Sequence, residues 1–221
     1  MTAPRLLVTG FDDFGDVSPN ASAEVVRLLP ALFADGEFDL RTEILPTRFD
    51  VATRRIAARL RTIRPDMCLC LGVAPTPCVR LEQSAINWHD APGRPDNAGR
   101  VATGVEIGRG GPAAYWSAFR GDRDLLVRLH AEDIPAVLSV SAGTYVCNAV
   151  MYAAAHHLAR AGSAVPFGFL HIPRSLEDVA ECPESVQRDA ATWPPEPSAR
   201  AVRVIAENWR ERAIRPRSRG A

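Results

Sequence analysis

The chain has 221 residues and a mass of 24.0 kDa, 47% hydrophobic and 24% charged, the make-up of one globular domain able to bury a full core. Its 26 basic residues balance 26 acidic ones, which excludes binding to nucleic acid or a membrane surface through bulk charge. Every basic residue is an arginine, so chemistry that needs a side-chain amine, such as a pyridoxal Schiff base or a P-loop lysine, is excluded as well.

Residues 1–5 lead directly into the apolar run Leu6–Val8, without the long apolar core of a signal peptide, and nowhere do about 18 apolar residues run together. The expectation is a soluble, cytoplasmic protein. Arg5–Thr9 reads as a short buried strand ending at Gly10, followed by a loop through Pro19. Asn20 or Ser22 is placed to cap a helix carrying Val25, Val26 and Leu29. Phe38–Leu45 alternates as a second strand. From Asp50 onward, Ile56, Leu60 and Ile63 fall at i, i+4 and i+7, the apolar stripe of a helix that Pro65 stops. Met67–Leu71 is apolar on both faces, as parallel strands tend to be.

From Gly72 to Gly111 the pattern loosens around a strand predicted over Val79–Asn87. There follow a helix over Asp122–Glu132, a strand over Ala136–Val140, a helix after Tyr145, a strand over Val165–Ile172 and a terminal helix over Ser198–Arg212. Strands alternating with helices predict the α/β class. The expected architecture is a single three-layer α/β/α domain over residues 1–211, with a twisted, mostly parallel central sheet. Trp193–Pro197 reads as a stiff surface connection, and residues 212–221 as a disordered basic tail. The five cysteines (Cys68, Cys70, Cys78, Cys147 and Cys182) form an odd set without a regular framework, which predicts reduced thiols.

In open α/β sheets, sites gather where strands end. One strand end here is Ser139-Val-Ser-Ala-Gly-Thr-Tyr-Val-Cys147-Asn148, which runs into the strong helix-former stretch Ala149–Ala161. Cys147 therefore falls at or near a helix N-terminus, where exposed backbone N–H groups and the dipole favour a thiolate and can hold an oxyanion. The competing reading is a buried structural cysteine. The other end is Phe167-Gly-Phe-Leu-His171-Ile-Pro173, where a histidine closes an apolar strand. His171 can face the same crevice and serve as general base, then acid, or it is a satisfied structural histidine. Glu82, an acid inside the otherwise apolar Val79–Asn87, can orient that imidazole, pair with Arg80, or face solvent.

Other motifs carry less. Gly108-Arg-Gly-Gly-Pro-Ala113 fits a dinucleotide pattern on paper, but no convincing buried strand precedes it and Pro112 stands where a phosphate-cradling helix would begin. Cys68 and Cys70 point the same way from a strand and offer only two ligands, and Cys78 brings no paired Cys/His knuckle, so no metal site is expected. The adjacent His156 and His157 face different directions on a helix. No cofactor is called for.

Six blocks taken in order resemble the pyroglutamyl peptidase type I family of cysteine exopeptidases. They are Val8-Thr-Gly-Phe-Asp-Asp-Phe-Gly15, Glu82 with Ala85-Ile-Asn87, Pro95-Asp-Asn97, and Gly111-Pro-Ala-Ala-Tyr115. The last two are Ser141-Ala-Gly-Thr-Tyr-Val-Cys-Asn148 with Met151-Tyr152, and His171-Ile-Pro173. The resemblance implies removal of an N-terminal pyroglutamyl residue from peptides, with Cys147 as nucleophile, His171 as acid/base and Glu82 steering His171. It also implies Phe11 and Phe14 as the two phenylalanines that sandwich the lactam ring, and a homo-oligomer, dimer or tetramer. A lactam without a free amine fits recognition by apolar faces plus hydrogen bonds.

The chain departs from the family pattern around the expected ring pocket. Asp13, Asp16 and Asn20-Ala21 stand where the family has proline, glycine and Asn-Pro. The chain is one residue short between Gly72 and Glu82, where Thr76 and Pro77 lie near the place of an expected arginine. Asp90-Ala-Pro-Gly-Arg-Pro-Asp-Asn97 is one residue longer than the family run, which displaces Arg94. Two further expectations therefore stay open: a cysteine hydrolase of the same fold acting on another lactam or amide, and a non-catalytic ligand-binding homologue.

Overall fold

A computed structural model describes residues 2–15, 17–176 and 192–214. Eight strands are described: β1 (Arg5–Phe11), β2 (Asp39–Leu45), β3 (Met67–Val73), β4 (Val79–Glu82), β5 (Ser84–Ile86), β6 (Ala114–Trp116), β7 (Ala136–Ser139) and β8 (Phe167–Ile172). Five helices accompany them: α1 (Ala21–Leu32), α2 (Phe49–Ile63), α3 (Arg123–Ala131), α4 (Val146–Arg160) and α5 (Pro195–Ile214). Six strands form one sheet in the order β2-β1-β3-β8-β4-β7, parallel throughout except between β8 and β4.

Period-2 alternation sends successive residues of each strand to opposite layers. Leu6 and Val8 of β1, Met67, Leu69 and Leu71 of β3, and Leu170 and Ile172 of β8 join the core under α1, α3 and α5. Leu7, Cys68, Cys70, Phe167 and Phe169 join the core under α2 and α4. The predicted stripe of α2 is where it should be, with Ile56 and Leu60 fully or nearly fully buried. Asn20 is the N-cap of α1, its carboxamide oxygen accepting from the Ser22 N–H at 3.0 Å.

Three expectations need correction. The strand predicted over Val79–Asn87 is two strands in two sheets. The chain breaks at Gln83, whose N–H turns to the Ser139 carbonyl, and β5 then pairs antiparallel with β6 beside α4. β6 is only three residues long, too short for periodicity to reveal it. Pro195-Glu-Pro197 is the first turn of α5 rather than a surface connection, because proline lacks only an N–H that a first turn leaves unused. Arg212–Ile214 continue α5, and Arg212 clasps Asp122 with two bonds of 2.6 and 2.7 Å, so the helix ends later than expected. The remainder of the predicted tail, 215–221, lies outside the described residues, as does Cys182.

Candidate active site

The parity that builds the two cores also selects the site. Gly72 shares the face of Cys68 and Cys70 on β3, and His171 that of Phe167 and Phe169 on β8. Arg80 and Glu82 on β4 are out of phase with Val79 and Leu81, which face the other layer. All four therefore look toward α4, and Gly72 and Arg80 flank His171 in the ladder from either side.

α4 begins at Val146, so Cys147 is its second residue. Its N-cap, Tyr145, is extended and offers no side-chain cap. The helix's own ladder starts with the Ala149 N–H bonding the Tyr145 carbonyl at 3.2 Å, which leaves the N–H groups of Val146, Cys147 and Asn148 without a partner inside the helix. Those dipoles favour negative charge on the sulfur or on an oxygen beside it. Gly143 makes the approach possible: its φ of +78° suits glycine, and its N–H closes on Ser141 Oγ at 3.1 Å. Asn148 locks the helix start to the β5 segment. Its Nδ2 donates to the carbonyls of Ile86 and Trp88 at 3.0 and 3.1 Å, and its Oδ1 accepts from the Ile86 N–H at 2.9 Å.

His171 Nδ1 meets Glu82 Oε1 at 2.8 Å, with Glu82 fully buried and His171 nearly so. Arg80 Nε lies 3.5 Å from the same oxygen, so the two sequence readings of Glu82 that involve a partner hold together and the solvent-facing one does not. Cys147 lines the same cleft as His171 and acts on the imidazole from its other side. Burial alone would lower the imidazole pKa. The influence of Cys147, followed by that of Glu82, outweighs burial and raises it to about 9. The arrangement is a cysteine, a histidine and a carboxylate in series, with the acidic groups on either side raising the pKa of the imidazole.

Cys147 and His171 open into a cleft of about 350 Å³ that Phe11 and Phe14 also line. Phe11 is buried against Phe169, ring centres 6.5 Å apart, while Phe14 is half-buried and leans on Tyr145 at 6.0 Å. Three loops are tied together behind these rings. Asp12 Oδ1 accepts from the Thr47 N–H at 2.6 Å, and Asn97 Nδ2 donates to the Asp13 carbonyl at 2.7 Å. Asp96 accepts from the backbone N–H groups of Phe49, Ala98 and Arg100. Nothing in the residue types of Pro95-Asp-Asn97 announces this work. Two further site residues carry no sequence motif: Gly72, where a side chain would collide with the Cys147 sulfur, and Tyr145, whose hydroxyl donates to the Pro95 carbonyl at 2.8 Å. The strand parity of Gly72 was available in the sequence, whereas the long-range loop ties were not.

A model of the pyroglutamyl peptidase family matches residues 4–208. The chain belongs to the pyroglutamyl peptidase family. Among family members with curated names, a pyrrolidone-carboxylate peptidase of Bacillus cereus is 35% identical over 179 residues, 80% of this chain and 82% of the relative. Pyrrolidone-carboxylate peptidase 1 of Ralstonia nicotianae is 40% identical over 171 residues, 77% of this chain and 78% of that one. The crystal structure of the pyroglutamyl peptidase I from Bacillus amyloliquefaciens superposes with a TM-score of 0.82 at 32% identity, covering 94% of both chains. That of the pyrrolidone carboxyl peptidase from Fervidobacterium islandicum gives 0.85 at 33% identity, covering 94% of this chain and 99% of that one. These family structures share the α/β fold described above.

The other motifs stay outside the cleft. No helix follows Gly108–Ala113; Gly108 and Gly111 instead back onto the ring of Tyr152. Cys68 and Cys70 are buried free thiols in β3, and the influence of Cys70, then burial, pushes Cys68 well above its ordinary value. His156 Nδ1 is engaged with the Tyr115 hydroxyl at 2.8 Å. Among the described residues, no three His, Cys, Asp or Glu side chains gather as a metal site would require.

Proposed function

We propose that this protein is a cysteine exopeptidase that removes an N-terminal pyroglutamyl residue from peptides through an acyl-enzyme. The observation that carries the reading is His171, bonded to buried Glu82, sharing one cleft with Cys147 at the start of α4. The Cys147 thiolate attacks the pyroglutamyl carbonyl, and the N–H groups of the first turn of α4 stabilise the oxyanion. His171 gives its proton to the departing amine and then takes one from the water that releases pyroglutamate. Glu82 holds the ring with its other nitrogen toward the sulfur. Phe11 and Phe14 supply apolar faces for the lactam, which has no charge for an ion pair to grip.

The test is release of the chromogenic amine from a pyroglutamyl anilide. Wild-type protein should turn it over and lose activity on thiol alkylation, and Cys147→Ala should be inert. Turnover by that variant would remove the mechanism. Comparing prolyl and glutaminyl anilides decides whether the departures around the ring pocket have changed the acyl group accepted. Bound pyroglutamate with no acyl-enzyme detectable by mass spectrometry would favour the non-catalytic reading. We also propose a cytoplasmic setting, which suits reduced thiols, and a homo-oligomer, supported by the family resemblance and checked by light scattering. No helix among the described residues is long and apolar enough to cross a membrane.

A further inference from the structure

Arg94 lies on the run that is one residue longer than the family pattern, and its guanidinium sits over two aromatic rings. It is 5.3 Å from the centre of Phe14 and 4.5 Å from that of Tyr145. Cation–π contact of this kind fixes the direction of the side chain while leaving its N–H donors uncommitted. Arg94 is exposed and lines the same cleft as Cys147 and His171. No hydrogen bond or ion pair to its guanidinium is present among the described residues. Nearby arginines behave differently: Arg48 and Arg54 pair with Asp50, and Arg55 and Arg59 with Glu43.

Five donors in a planar fork match a carboxylate, and a guanidinium already held over two rings loses less entropy when it binds one. That carboxylate cannot come from the acyl side of the substrate, because a lactam is uncharged. It must lie beyond the scissile bond. Asp90, on the same loop, also lines the cleft with its carboxylate uncommitted. The two opposite charges cancel at a distance, so a general pull on anions is not available and selection has to come from contact with the guanidinium itself.

Resting on the pyroglutamyl peptidase reading above, we propose that Arg94 is a specificity residue that grips a carboxylate on the leaving-group side of the scissile bond. The carboxylate belongs either to the free C-terminus of a pyroglutamyl dipeptide or to an acidic side chain in the residue after pyroglutamyl.

Four substrates separate these sources: pyroglutamyl-alanine against its C-terminal amide, and pyroglutamyl-aspartyl amide against pyroglutamyl-asparaginyl amide. In wild type, at least one acid-to-amide ratio of kcat/KM should reach about three to ten, the range of a partly exposed arginine–carboxylate pair, and reside mainly in KM. The ratio should fall to about one in Arg94→Met and be partly kept in Arg94→Lys. Wild-type ratios both within about twofold of unity, or a preference unchanged in Arg94→Met, overturn the proposal. Inactivity on all four peptides and on the anilide overturns the pyroglutamyl peptidase reading itself, and this inference with it.

Discussion

A methyl group placed on Gly72 would stand 2.9 Å from the sulfur of Cys147 and equally close to the Phe169 ring. The end of β3 is thus the floor on which the nucleophile rests. Gly72→Ala must move the sulfur, the ring or the strand. Overpacking of this kind destabilises by about 1–3 kcal/mol. A displaced sulfur should reduce acylation by about 10²-fold, more than the modest fall in thermal stability would suggest. Single-turnover kinetics beside a thermal melt check it, and unchanged acylation would show that the sulfur has room elsewhere.

Removal of either acidic neighbour should lower the pKa of His171 from about 9, because both Cys147 and Glu82 raise it. NMR titration of the imidazole in Cys147→Ala and Glu82→Gln should show a fall in both. In Glu82→Gln the alkaline limb of the anilide pH–rate profile should move to lower pH with it. The loss of orientation should lower kcat by about 10²-fold. An alkaline limb that stays in place would mean that another group donates to the leaving amine.

Two histidines give opposite slopes to stability against pH. His171 binds its proton more tightly folded than unfolded, so its contribution is complete below 6.5 and is lost as pH rises through about 9. Buried His89 is pushed the other way, to about 4, by burial and then by the charge of Arg100. Its contribution is complete above 6.5 and is lost as pH falls toward 4. Urea unfolding as a function of pH should therefore peak near 6.5, and His89→Phe should flatten the acid side alone.

Asn148→Ala leaves the Ile86 N–H and the carbonyls of Ile86 and Trp88 without their side-chain partner. Stranding such groups should destabilise by about 3 kcal/mol, read from urea midpoints. Activity should fall further than folded fraction, because the same carboxamide aligns the start of α4.

Asp96→Ala removes the acceptor for three backbone N–H groups, one of them at the start of α2. A helix-cap loss of about 1–2 kcal/mol is expected. KM for the anilide should rise as the loop carrying Arg94 loosens beside Phe14, with kcat changed little.

Much of the site could be read along the chain because its parts obey local rules. Cys147 precedes a run of helix formers, and His171 and Glu82 sit on short strands whose alternation assigns them a face. Phe11 and Phe14 entered only through family resemblance, and the structure brings them to the cleft. What escaped was long-range or very short. The break at Gln83 depends on the Ser139 carbonyl, 56 positions away, and the loop knot of Asp12, Thr47 and Asn97 joins three segments that no periodicity connects. The late end of α5 rests on Arg212 finding Asp122, the N-cap residue of α3.

The reversal of β4 against β8 brings Glu82 to His171, 89 positions further along the chain, while Cys147 arrives on a separate crossover. No contiguous fragment shorter than the span from 82 to 171 holds all three groups, and the first of them is useless until the sheet has closed around β8. Recovery of turnover during refolding should accordingly lag behind the return of helical signal, since non-local strand pairing is slow and local helices are fast. Return of turnover in such an experiment marks the closing of the sheet around β8.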